Sequence, residues 1–83
     1  MKISLIKSCK DTESFLMAKG LGFKVIELEN YDDVDNQISK LIQDKYNNII
    51  LTSEIAGFSE NIIKKYKNDE NIKIYITPSK RKQ

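Results

Sequence analysis

A chain of 83 residues has room for one small domain and none for a second. Hydrophobic residues make up 40% and charged ones 31%, ordinary for a soluble globular protein, and no apolar run approaches the length of a membrane span. The net charge is +2, but setting aside Lys80, Arg81 and Lys82 leaves 11 basic residues against 12 acidic, a net of −1, so the body lacks the basic face that nucleic-acid binding needs.

The chain divides into a domain over residues 1–79 and a basic tail over 80–83. Its first run, Lys2–Ile6, reads as a strand, and MKISLIKS is too short in apolar character for a signal peptide. A helical pattern follows over Asp11–Lys19, apolar at Phe15, Leu16 and Ala18 and closed by Gly20 or Gly22. Phe23–Leu28 is the second strand. The next helix carries the clearest stripe, Val34, Ile38, Leu41 and Ile42, with Asp32 or Asp33 as its expected cap. Asn48–Thr52 is a continuous apolar strand of the kind covered on both faces. One further helix is expected to place Ile55, Phe58, Ile62 and Tyr66 on one face, capped by Thr52 or Ser53 and weakened at Gly57. The last strand, Ile72–Ile76, alternates, with Lys73 and Tyr75 opposite the isoleucines, and Pro78 ends it.

The order β-α-β-α-β-α-β requires parallel strands and right-handed crossovers. The expected fold is α/β, a small doubly wound, flavodoxin- or receiver-like sheet of four parallel strands in the order 2-1-3-4 with three crossover helices. One helix on one face and two on the other leave the first-helix face bare beneath strands 3 and 4, a candidate partner surface.

The lone cysteine, Cys9, sits at the strand-to-helix turn KSCKDTES, where an anion-binding helix start often lies. A low-molecular-weight or dual-specificity phosphatase needs an arginine six residues on to grip the phosphate, and Phe15 stands there. A phosphocysteine B-type carrier of the sugar phosphotransferase system is a closer rival, since it shares the β1-cysteine-helix arrangement. Asp11 and Glu13, however, would repel a phosphodianion and raise the thiol pKa. A receiver domain needs acidic residues where Lys7-Ser8 and Thr52-Ser53 stand. There is no histidine to act as base or ligand, and the glycines form no dinucleotide or Walker loop. The acidic residues Glu27, Glu29, Asp32, Asp33 and Asp35 lack cation-loop spacing and read as a solvated helix start. Elimination leaves a non-catalytic interaction module with no cofactor and no metal. A single cysteine forms no internal disulfide, so the cytoplasm is the expected compartment.

Three motifs then align with one family. Asp11-Thr-Glu13-Ser14 leads through a helix to Leu21-Gly22 before strand 2; Thr52-Ser53-Glu54-Ile55-Ala56 follows strand 3; and Ile76-Thr77-Pro78-Ser79 leaves strand 4. In this order the chain resembles the F subunit of the V-type and archaeal A-type rotary ATPases. It departs at Lys7-Ser8, where the family carries Gly-Asp, and PSKRKQ stands where members continue into a linker and a C-terminal helix.

The resemblance implies a central-stalk subunit, non-catalytic itself, docked on the coiled-coil shaft formed by the D subunit. Through the shaft it would meet the catalytic A/B head and the membrane rotor, coupling ATP hydrolysis or synthesis to proton or sodium transport. It would then be cytoplasmic and peripheral to the membrane, without inserting into it. The expected interface is the carboxyl edge of the sheet and its uncovered face: Cys9, Asp11, Ser14, Lys73, Tyr75, Pro78 and Lys80, with Glu54 nearby. The phosphocysteine carrier, acting through Cys9, and an unassigned flavodoxin-like module remain as alternatives.

Overall fold

The apolar run at residues 48–52 becomes an inner strand because every side chain on it finds cover or a half-covered face. A computed structural model describes residues 2–10 and 20–78, and places four strands there: β1 Ile3–Ser8, β2 Lys24–Leu28, β3 Asn48–Thr52 and β4 Lys73–Thr77. All pairs are parallel and the order is 2-1-3-4, as the element sequence requires. The registers Ile6↔Ile26, Ile6↔Leu51 and Ile49↔Ile74 bring these apolar residues onto one face of the sheet. Onto that face pack Val34, Ile38 and Leu41 of helix α1 (Val34–Gln43) and Ile55 and Ala56 of α2 (Ser53–Ala56). Ile62 and Ile63 of α3 (Glu60–Tyr66) pack half-buried against the same core. Leu5 is buried outside this cluster, and Lys7, two residues on, is also buried. Strand alternation places Leu5 and Lys7 on the opposite face. The helix expected over Asp11–Lys19 lies outside the described residues.

Three local expectations change. The helix expected to run unbroken past Gly57 is two helices, α2 and α3. Ser59 leaves helical geometry at φ −138° and becomes the residue that starts α3. Its side chain is buried, and its hydroxyl donates to Asp35 Oδ1 of α1 at 3.1 Å. That tether to a neighbouring helix holds the break open, and it turns Phe58 out of the apolar stripe, leaving it 49% exposed.

The cap of α1 also differs. A 3-10 turn, Tyr31–Asp33, precedes the helix, and Asn30 Oδ1 accepts from the Asp32 amide at 3.0 Å. Asp33 caps no backbone group; its carboxylate accepts from Asn36 Nδ2 at 3.1 Å and Gln37 Nε2 at 2.9 Å. Thr52 precedes α2 as expected, but without a side-chain capping bond. Its buried Oγ1 has no hydrogen-bond partner among the described residues. Finally, Ile76 is 55% exposed although its strand-mate Ile74 packs on the core. In the cleft beside β4, Ile63 and Tyr66 of α3 meet Ile72, Ile74 and Tyr75, and Ile76 does not line it.

The two ends of α1 each generate a prediction. Its C-terminus closes with the Tyr46 amide on Leu41 O at 2.9 Å and the Lys45 amide on Ile42 O at 3.1 Å, which forces Lys45 to φ 70°. A side chain in that left-handed region costs about 1–2 kcal/mol, so Lys45→Gly should raise stability by roughly 1 kcal/mol in urea unfolding. At the other end, the bonds from Gln37 and then Asn36 hold the Asp33 carboxyl below its ordinary value of 3.8, helped by Lys40 and opposed by partial desolvation. A depressed carboxylate pKa stabilises the fold above the unfolded value and loses that effect as pH falls through the folded one. The stability gap between wild type and Asp33→Ala should therefore be full above pH 3.8 and shrink below it, with an NMR titration midpoint for Asp33 under 3.8.

Candidate functional site

In an open parallel sheet the natural cleft lies beyond the carboxyl ends of the strands, where adjacent connections diverge. Here β1 is flanked by β2 and β3, and their carboxyl ends surround an open groove of about 370 Å³ lined by Lys10, Glu29, Asn30, Tyr31, Asp32 and Phe58. Strand β1 extends two residues further than its apolar run suggests, so Lys7 and Ser8 are strand rather than loop. Ser8 is fully buried, and its hydroxyl is hydrogen-bonded to Tyr31 Oη. The same Ser8 Oγ accepts from the Lys10 amide at 3.0 Å. Tyr31 in turn meets Phe58 edge to face, ring centroids 5.3 Å apart at 76°. One buried hydroxyl thus ties the turn after β1 to the turn after β2, and an aromatic pair carries the link on to the connection between α2 and α3.

This arrangement engages the two described amides that follow β1. The Cys9 amide donates to Leu28 O at 3.0 Å, continuing the β1–β2 pairing, and the Lys10 amide is held by Ser8. Neither N–H is left to line a phosphate cradle. Charge in the groove comes from Lys10 against Glu29 and Asp32, so its mouth is acidic on balance. Among the described residues no three His, Cys, Asp or Glu side chains gather as a metal site. Asp33 and Asp35 are already engaged by Asn36, Gln37 and Ser59. The Cys9 thiol itself is exposed.

The interface residues expected from the sequence fall in separate places. Cys9 directly follows β1, Glu54 lies half-buried in the first turn of α2, and exposed Pro78 follows β4, all at the carboxyl side of the sheet. Tyr75 is in the middle of the edge strand, 52% exposed. Lys73 begins that strand, about 13 Å from its far end at the usual strand rise. Alternation puts Lys73 and Tyr75 on the face opposite the core helices, where the open surface was expected. Asp11, Ser14 and Lys80 lie outside the described residues. Sequence pattern alone does not single out Tyr31 and Phe58, which shape the groove. The position of Tyr31 close after β2 is the available signal; Phe58 has the spacing of a core residue.

Comparison with known proteins finds no family model, no curated protein and no solved structure that matches the chain. Among the described residues no helix is long and apolar enough to cross a membrane.

The Ser8–Tyr31 bond yields a direct test. Tyr31→Phe removes one partner of a buried hydroxyl and should cost about 1 kcal/mol in urea unfolding, while Cys9→Ser, exposed, should change stability by less than about 0.5 kcal/mol.

Proposed function

We propose that the chain is a non-catalytic central-stalk subunit of a V-type rotary ATPase, docked on the coiled-coil shaft of that machine. In that role it couples ATP hydrolysis or synthesis to proton or sodium transport. The observation that carries the reading is the inward-turned backbone after β1: the amides of Cys9 and Lys10 are bound to Leu28 and Ser8. A turn closed in this way suits a connecting element better than a phosphate-binding one. The three motifs of the resemblance support the same conclusion, and the four-stranded sheet is the scaffold they imply. Docking on a long helical hairpin needs a rigid post with protein-contact surfaces, and the reading assigns that contact to the carboxyl edge and the Lys73–Tyr75 face.

One observation favours the phosphocysteine carrier, namely that the Cys9 thiol is exposed. That reading requires a covalent phosphate on Cys9, detectable by intact-mass analysis after incubation with a phosphorylated donor.

The deciding experiment is co-purification with the shaft protein encoded in the same genome, followed by size-exclusion chromatography with mass determination. The stalk reading predicts a stable one-to-one complex that survives Cys9→Ser unchanged and is weakened by alanine at Tyr75 and Lys73. A folded chain that does not bind the shaft would overturn it, and phosphorylation of Cys9 would establish the carrier instead.

A further inference from the structure

We propose that the outer edge of β4 is a self-association site, at which a second copy of this chain adds its own β4 antiparallel and joins the two sheets about a two-fold axis. The inference is independent of the stalk reading. β4 ends the strand order, and among the described residues it pairs only with β3. Lys73 donates its amide to Asn47 O at 2.9 Å, so its main-chain groups point at β3. Backbone direction alternates along a strand. Tyr75 and Thr77 therefore also point inward, and Ile74 and Ile76 point their N–H and C=O outward. Such a row is a template for strand addition unless charge, proline or a covering segment blunts it. On β4 itself the one charge is Lys73, at the amino end, and Pro78 follows the strand at its carboxyl end. The Ile-Tyr-Ile between them carries none, with Tyr75 52% and Ile76 55% exposed on opposite faces.

The register identifies the partner. A two-fold axis through Tyr75 sets Ile74 opposite Ile76 of the second copy, and Ile76 opposite its Ile74. These are the outward-facing residues, so each pair exchanges both of its hydrogen bonds, and Tyr75 meets its own symmetry mate at the closer, non-hydrogen-bonded position. Lys73 then faces Thr77, which keeps the two lysines at far ends of the ladder. On the helix side, the exposed Ile76 comes to lie beside Ile74 of the other copy. There it meets a cleft of about 140 Å³ that Ile63, Tyr66 and Ile74 help to line. An axis at Lys73 would oppose two lysines, and an axis at Ile76 would run Ile74 onto Pro78, which has no N–H to give. A strand whose pairing groups, apolar side chains and charges complement themselves fits a second copy of its own chain. Five residues of strand bury less than the roughly 1,200 Å² of a standard interface, so the dimer is concentration-dependent.

Sedimentation velocity of the full chain between about 1 μM and 1 mM reads the result, since weak interfaces dissociate within that range. The wild type should move from monomer to dimer. Tyr75→Lys, which opposes two lysines at the axis, and Ile76→Lys should each raise the dissociation constant by about tenfold or more. An equal mixture of Tyr75→Lys and Tyr75→Glu should restore the dimer, because position 75 faces itself only in this register. Circular dichroism checks that each variant is folded; both positions are exposed, so both should be. A wild type that stays monomeric throughout overturns the proposal. So does a dimer that these substitutions leave intact, or a charge pair that fails to restore it.

Discussion

The pairing of β1 with β2 on one side and β3 on the other is the constraint on which the rest of this small domain depends. It sets Ile6 level with Ile26 and Leu51, and the helices that follow β2 and β3 close over that row. Fully burying an aliphatic side chain stabilises a fold by about 1.5–3 kcal/mol. The buried set here is short, and most of it touches this row. A chain of this size has little further surface to bury, so its fold rests on few contacts.

The same pairing creates the groove. Because β1 runs on to Ser8, the buried hydroxyl arrives beside Tyr31, and the turn after β1 is drawn against the turn after β2. The amides of Cys9 and Lys10 face protein. Cys9 and Lys10, which stand out when the chain is read as text, are in three dimensions tied back to Leu28 and Ser8. The groove above them combines an aromatic pair with an acidic balance of charge.

At the opposite side of the sheet the constraint is one of supply. α2 is a single turn, α3 begins only at Glu60, and the cleft that Ile63 and Tyr66 form against β4 is lined by Ile72, Lys73, Ile74 and Tyr75 but not by Ile76. Ile76 is exposed on the helix side and Tyr75 on the opposite face, on an edge whose outward hydrogen-bonding groups meet no strand among the described residues. Burial by helices and pairing by strands run out at the same few residues.

The parallel sheet, its order and the extent of β3 were legible in the sequence, since short apolar runs separated by helix-length segments permit few arrangements. The stripe Val34, Ile38 and Leu41 was equally plain, because a period of 3.6 residues is a property of the chain alone. What only the tertiary structure decided depends on partners distant in sequence. Ser59 breaks the third helical segment because Asp35 of another helix accepts its hydroxyl. Phe58 leaves the stripe to meet Tyr31, and Ser8 becomes strand because β2 continues beside it. Ile76 stays exposed although Ile74, on the same face of the strand, packs on the core. Local periodicity states which face a residue prefers, but whether that face is covered is settled by what the rest of the chain brings there.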